Sequence, residues 1–202
     1  SHTGAIASSD VTIRALFKKA GIVYCSSREE LLSVASIFNY KALKGKNIAI
    51  ITHAGGSAVM LADELSKGGL HIPVIEGEKA KELESYLFPG SSVSNPIDFL
   101  ATGTAEQLGI IIDYCEHQFD FIDAMVVVFG SPGLFDVENV YTLLNAKLES
   151  CKKPIFPVLP SVVNAHKEII AFLDKGNINF PDEVVLGKAL AQVYKTPFPV
   201  LH

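Results

Sequence analysis

Apolar positions along the chain follow two spacings, one typical of helices and one typical of buried strands. From residue 47 onward, short runs that are apolar at almost every position, such as residues 48–52 and 124–129, alternate with segments whose apolar residues lie three or four positions apart. Runs that are apolar on both sides are typical of parallel strands covered by helices on both faces. The alternation predicts an α/β fold with a flavodoxin-like doubly wound parallel sheet.

The predicted elements begin near the start of the chain and continue to its end. The predicted strands cover residues 22–25, 48–52, 72–75, 97–100, 125–129, 155–159 and 178–180. The predicted helices cover residues 11–20, 28–38, 57–67, 79–87, 104–117, 137–150, 164–174 and 183–194. Residues 41–46 contain three lysines and one glycine and interrupt the pattern, so they are the best candidate for a linker.

Composition narrows the class of protein. The 202 residues are 49% apolar and 19% charged, which excludes a largely disordered chain. The formal net charge is −5, and no basic run exceeds two residues, so we expect no nucleic-acid partner. The apolar runs are far shorter than the ~20 residues of a membrane helix, and no signal peptide opens the chain. We therefore expect a cytoplasmic protein that does not bind membranes.

The cysteines and the start of the chain add two expectations. Cys25, Cys115 and Cys151 are odd in number and lack a C-x-x-C spacing, so we interpret them as reduced, buried thiols. The chain begins with Ser1 rather than methionine, which predicts a processed chain, a chain engineered for expression or a fragment.

Ligands of a doubly wound sheet bind beyond the carboxyl ends of its strands. One segment predicted there contains Gly55, Gly56 and Ser57 and leads directly into a helix. Glycines allow close approach of a ligand, and the free N–H groups of a helix N-terminus suit a phosphate group. A tight turn between strand and helix would need the same glycines. The segment lacks the lysine of a P-loop and the third glycine of a dinucleotide fingerprint.

Two of the six histidines lie near candidate chemistry. His2 stands in a glycine-containing stretch before a helix, and taken alone it is a tag remnant or a frayed end. His53 precedes the glycine pair and is either a second phosphate-facing group or a loop histidine with satisfied hydrogen bonds. The others are scattered without the spacing of metal ligands, so no metal site is predicted.

Five stretches, taken in order, form a distinctive set: residues 1–7 (SHTGAIA), 20–22 (AGI), 51–56 (ITHAGG), 94–98 (SNPID) and 186–191 (LGKALA). Together they resemble the NDP-forming acyl-CoA synthetases, above all the ADP-forming acetyl-CoA synthetases, with succinyl-CoA synthetase as a more distant relative. The resemblance implies that residues 1–44 are the C-terminal part of a first ligase domain. Residues 45–202 would form the second, flavodoxin-like ligase domain.

The resemblance also implies an activity and its residues. The enzyme would be an acid–thiol ligase that interconverts acyl-CoA, phosphate and ADP with an acid, CoA and ATP. His2 matches the histidine that is phosphorylated in the family and would be the catalytic phosphohistidine. Gly55, Gly56 and Ser57 match the glycine-rich loop and helix that hold the phosphoryl group. No carboxylate that would orient the imidazole can be identified from the sequence.

The implied partners are a CoA-binding domain and an ATP-grasp domain or subunit, because this chain has room for neither. CoA, ATP or ADP, and Mg²⁺ would act in the complete enzyme, and none is expected on this fragment, which should be inactive alone. The substrate would be a small acid, and an oligomer or subunit complex is expected. The loop at residues 130–134 aligns loosely with the acyl site of succinate-specific relatives but has no arginine, which disfavours a dicarboxylate.

Three alternatives belong to other classes of protein. A receiver-type signalling module would need an acidic cluster, whereas Thr52, His53 and Ala54 stand where the first strand of the sheet ends. A flavin-binding protein would show a hydroxyl-rich loop and flanking aromatic residues, and the chain has no tryptophan. A non-catalytic interaction or regulatory module stays open.

Overall fold

The computed structural model describes residues 9–131, 137–180 and 182–196. Within these residues the helices are α1 (Asp10–Lys19), α2 (Arg28–Ile37), α3 (Gly55–Lys67), α4 (Glu78–Glu84), α5 (Ala105–His117), α6 (Glu138–Ser150), α7 (His166–Leu173) and α8 (Glu183–Lys195). The strands are β1 (Ile48–Thr52), β2 (Ile97–Asp98), β3 (Ala124–Val128) and β4 (Ile155–Val158). They form one parallel sheet in the order β2-β1-β3-β4.

The strand order places a topological switch point between β1 and β3. The chain moves from β1 outward to β2 and then crosses back to β3, so the direction of winding reverses beside β1. Phe180 adds a parallel bridge to Val158 at the far side of β4, which continues the flavodoxin-like order. The predicted α/β fold with a parallel sheet is confirmed.

Alternating side chains of the buried strands divide the core into two halves. Ile51 and Val127 belong to one apolar cluster, whereas Ile50 and Val126 belong to the other. Helices α5, α6 and α7 supply buried residues to the first cluster, and α2, α3 and α8 supply them to the second. Every residue of β1 and β3 is buried, as a sheet covered on both faces requires.

Three of the predicted strands form no ladder, although the pattern of their residues is apolar; of these, residues 178–180 contribute only the isolated bridge of Phe180 to Val158. Residues 22–25 and 72–75 are not strands; near the second, Asn47 and His71 form an isolated bridge. Pro73 lacks an N–H group, and the side chain of Asn95 occupies the place beside β1. It accepts from Ile50 N at 2.9 Å and donates to Ile48 O at 3.0 Å and to Pro73 O at 2.9 Å.

The N-terminal part of the chain packs against α8 and the end of α6. Val34 and Ile37 of α2 are buried in the second apolar cluster. The Lys41 ammonium donates to Leu148 O and Glu149 O, each at 3.0 Å, and to Cys151 O. It thereby satisfies carbonyl groups at the end of α6 that lack helical partners. The domain boundary after residue 44 stays a prediction. In the described ranges, no helix has the length and apolar character needed to cross a membrane.

Candidate phosphate-binding site at the switch point

The candidate site lies at the carboxyl edge of the sheet, where the loops after the four strands meet. Helix α3 begins at Gly55, two residues earlier than the apolar pattern predicts. Gly55, Gly56 and Ser57 therefore form its first turn. The glycine pair is part of the helix N-terminus itself, so its N–H groups point along the helix axis toward the edge of the sheet.

Thr52 fixes the entry into α3. Its hydroxyl accepts from Ala54 N at 2.9 Å and donates to Ala54 O at 3.2 Å. Thr52 is fully buried, so this pair of bonds holds the backbone just before the helix. Ala54 occupies the N-cap position and has no side chain that could accept a hydrogen bond. No side chain therefore fills the capping role that a serine or aspartate would fill.

The first turn of α3 carries N–H groups that the fold does not use. The first bond across this turn runs from Ala58 N to Ala54 O at 3.4 Å. Across the ranges that the structure describes, no acceptor faces the N–H groups of Gly55, Gly56 or Ser57. Together with the positive end of the helix dipole, such groups are suited to the oxygen atoms of an anion. We call these three residues the phosphate cradle.

Space around the cradle is asymmetric. A Cβ atom at Gly56 would meet nothing within 4 Å, whereas one at Gly55 would lie 3.3 Å from Asp98 Oδ2. The other oxygen of Asp98 accepts from Leu100 N at 3.0 Å. The cradle is open on the side of Gly56 and is flanked by a carboxylate on the side of Gly55. A bound anion would lie away from Asp98 because like charges repel.

Asp98 is a residue whose proximity to the cradle sequence reasoning missed. In the sequence, SNPID served only as one of the five stretches that carry the resemblance, and no carboxylate could be linked to the predicted phosphohistidine. The parallel pairing of Thr52 with Asp98 places the two strand ends side by side. The signal that could have found Asp98 is its position at the end of a strand, since adjacent parallel strands end at the same edge.

His53 joins the loop after β1 to the loop after β3. Its Nε2 atom accepts from Gly130 N at 2.8 Å, and its ring centroid lies 4.4 Å from that of Phe129. Burial lowers the pKa of His53 below its usual value, and the charge of Asp98 opposes this effect without cancelling it. Of the two interpretations of His53, the structure supports the loop histidine with a satisfied hydrogen bond.

The loops after β3 and β4 are also joined. Ser161 Oγ accepts from Ser131 N at 2.6 Å. A Cβ atom at Gly130 would lie 3.0 Å from Ser161 Oγ and 3.6 Å from Pro160 Cγ. A side chain larger than glycine would therefore require Ser161 to shift by a few tenths of an ångström. Residues 132–136 are outside the described ranges, so the acyl-site interpretation of residues 130–134 stays a prediction.

The predicted site residues have two different outcomes. Gly55, Gly56 and Ser57 lie together at a helix N-terminus, as predicted, although their binding of phosphate stays a prediction. His2 lies outside the described residues, so its role stays a prediction as well. Over residues 9–131, 137–180 and 182–196, no group of three or more histidine, cysteine or acidic side chains could hold a metal ion.

Sequence comparison finds relatives that include ADP-forming acetate–CoA ligases. No protein-family model matches the chain. The alpha subunit of ADP-forming acetate–CoA ligase II from Pyrococcus furiosus is 29% identical over 201 residues, which cover 98% of this chain and 41% of the relative. ADP-forming acetate–CoA ligase I from Archaeoglobus fulgidus is 36% identical over 107 residues, 53% of this chain and 16% of the relative. The chain thus spans about two fifths of the first relative and less of the second.

Solved structures agree in fold. A crystal structure from Pyrococcus horikoshii superposes with a TM-score of 0.80 and 25% identity, covering 94% of this chain and 45% of that one. Dinucleotide-forming acetyl-coenzyme A synthetase 1 of Ca. Korarchaeum cryptofilum, solved with phosphate and ADP, gives a TM-score of 0.82 at 20% identity, covering 96% and 42%. The relatives in sequence confirm the resemblance drawn from the five stretches, and the second structure confirms the fold.

Proposed function

We propose that this chain, whose homologues are ADP-forming acetate–CoA ligases, forms part of an acyl-CoA synthetase. The complete enzyme would interconvert acyl-CoA, phosphate and ADP with an acid, CoA and ATP. Because the chain spans only 41% of the Pyrococcus furiosus alpha subunit, we propose this activity for the complete enzyme. CoA and the nucleotide with Mg²⁺ would bind in a CoA-binding domain and an ATP-grasp domain or subunit.

The observation that supports this proposal most directly is the phosphate cradle. Its N–H groups have no acceptor among the described residues, and they lie at the switch point, where ligands of this fold bind. A phosphoryl group offers several oxygen atoms to such donors, and the helix dipole favours its negative charge. Gly56 leaves room on the open side. Phosphate therefore fits the cradle in charge, in hydrogen bonding and in space.

The proposed mechanism transfers the phosphoryl group through His2. An acyl phosphate and free CoA form first from acyl-CoA and phosphate. A neutral imidazole nitrogen of His2 then attacks phosphorus; the new N–P bond replaces the acyl O–P bond, and the acid leaves as a carboxylate. Transfer of the phosphoryl group from His2 to ADP gives ATP and restores the histidine. Covalent catalysis of this kind divides one difficult transfer into two steps.

The cradle would contribute to both transfers of the phosphoryl group. Its N–H groups would hold phosphoryl oxygens while the phosphorus changes partner, and the dipole of α3 would stabilise the negative charge. Because the bonds of Thr52 fix Ala54, the donors are positioned before the anion arrives. Asp98 would keep the anion toward Gly56.

The experiment uses the complete enzyme with γ-labelled ATP and Mg²⁺. Label that is stable in base, labile in acid and lost in His2→Asn would support the phosphohistidine. His117→Asn is the matched control, because His117 ends α5 and is exposed; it should keep the label. Label that persists in His2→Asn would show that a residue other than His2 is phosphorylated. Label absent from a folded wild-type enzyme that binds nucleotide would favour a non-catalytic module.

A further inference from the structure

We propose that His53 is a positioning residue of the cradle: its neutral imidazole ties the loop after β1 to the loop after β3 across the switch point. The consequence of this proposal for catalysis rests on the proposed function. The protonation state of the imidazole follows from the geometry alone. His53 directly precedes Ala54, the N-cap residue of α3. A displacement of the His53 backbone would therefore move the start of the helix.

The hydrogen bond defines which ring nitrogen carries the proton. The backbone N–H of Gly130 can only donate, so Nε2 of His53 must present a lone pair. A neutral imidazole then carries its proton on Nδ1. The ring is also held by its contact with Phe129. The geometry thus fixes both the orientation and the tautomer of His53.

This arrangement separates His53 from the proposed phosphohistidine. A nucleophilic nitrogen needs a free lone pair, and the Nε2 lone pair of His53 is used by Gly130. His53 therefore acts through the position of the cradle rather than by accepting the phosphoryl group. His53 would thus support the site without contacting the reacting atoms.

The bond requires a neutral ring. Protonation would place an Nε2–H group against the Gly130 N–H, and two donors cannot bond to each other. The charged group that acts on the imidazole from a neighbouring strand is Asp98. Its attraction favours protonation, but burial outweighs it and keeps the pKa of His53 lowered. The connection should persist at neutral pH and fail as the solution becomes acidic.

The state of the imidazole can be measured without any activity. In ¹⁵N-labelled 202-residue chain, the nitrogen shifts of His53 should show a protonated Nδ1 and an unprotonated Nε2 at neutral pH. The ring should titrate below the value of about 6.5 for a free histidine. An Nε2 that carries the proton at neutral pH would overturn the proposal.

Two variants test the connection itself. His53→Gln keeps an acceptor that can reach Gly130 but cannot titrate, whereas His53→Ala removes the acceptor. The Gly130 amide should exchange with solvent about tenfold faster in His53→Ala, since one hydrogen bond is lost. It should stay near the wild-type rate in His53→Gln. Equal exchange rates in the wild type and His53→Ala, both of them folded, would refute the connection.

The consequence for catalysis is tested in the complete enzyme by the rate of phosphohistidine formation against pH. We expect this rate to fall about fivefold to tenfold in His53→Ala, which corresponds to the free-energy contribution of one neutral hydrogen bond. His53→Gln should restore the rate. It should also abolish the fall in rate at acidic pH that protonation of His53 would cause in the wild type. Unchanged rates in His53→Ala would refute the positioning role. A wild type that forms no phosphohistidine would refute the proposed function instead, and the nuclear magnetic resonance measurements would still decide the state of His53.

Discussion

The loops after β1 and β3 begin at the ends of neighbouring central strands, yet their backbone N–H groups have opposite fates. In the loop after β1, the N–H groups of Gly55 to Ser57 have no acceptor among the described residues. In the loop after β3, Gly130 donates to His53 and Ser131 donates to Ser161. Both loops contain glycine. Whether a glycine loop can hold an anion therefore depends on whether its donors are already used.

The difference depends on contacts that are distant in the sequence. The acceptor for Gly130 lies 77 positions away, and the acceptor for Ser131 lies 30 positions away. The donors of the cradle stay open for a local reason, because Ala54 cannot cap its own helix. We call a loop open when its N–H groups have no acceptor and closed when they are bonded. The open loop can thus be predicted from a short stretch of sequence, whereas the closed loop can be predicted only once the fold is known.

The largest expected effect comes from removing one open donor. Gly55→Pro eliminates the N–H group at the first helical position, where proline is compatible with a helix. Gly55→Ala is the matched control, because it adds the Cβ atom near Asp98 but keeps the N–H group. We expect phosphohistidine formation in the complete enzyme to fall about 10- to 100-fold in Gly55→Pro, the value of a hydrogen bond to a charged group. Equal losses in both variants would mean that the donor does not matter.

The next effect concerns the space around the two loops. Gly130→Ala would place a Cβ atom 3.0 Å from Ser161 Oγ, so the closed loop must shift, at a cost of about 1–3 kcal/mol in the free energy of unfolding. Gly56→Ala meets nothing within 4 Å and should leave stability unchanged or raise it by up to about 1 kcal/mol. Urea unfolding of the 202-residue chain measures both. Similar free energies of unfolding for the two variants would show that the two loops do not differ in the space around their glycines.

A smaller effect is expected from the residue that shapes the entry into α3. Thr52→Val keeps the volume of this buried side chain but loses both of its bonds to Ala54. The unpaired N–H group of Ala54 should cost about 1–2 kcal/mol in the free energy of unfolding. Thr52→Ser, which keeps the hydroxyl, is the control and should lose less. A valine variant as stable as wild type would show that the turn does not depend on this side chain.

The apolar pattern was enough to predict most of the fold. Completely apolar runs such as residues 124–129 are typical of a doubly covered sheet, and this interpretation predicted the parallel sheet that is observed. Residues 72–75 were predicted wrongly, because the pattern cannot show that the Asn95 side chain bonds to β1. At the site, the cradle could be predicted because its residues are consecutive. Asp98 and the bond of His53 to Gly130 could not, since each depends on which strands lie side by side.

The smallest expected effect is the pH dependence of stability contributed by His53. Its pKa is lowered in the folded chain, so an unfolded chain, with a histidine pKa of about 6.5, takes up the proton first. The contribution is complete above about pH 6.5 and is lost as the pH falls through the lowered folded value. The free energy of unfolding of the wild type should therefore decline on acidification more steeply than that of His53→Gln, which has no ring to protonate. Parallel declines in the two chains would show that the proton is taken up elsewhere and that the closed loop does not respond to pH.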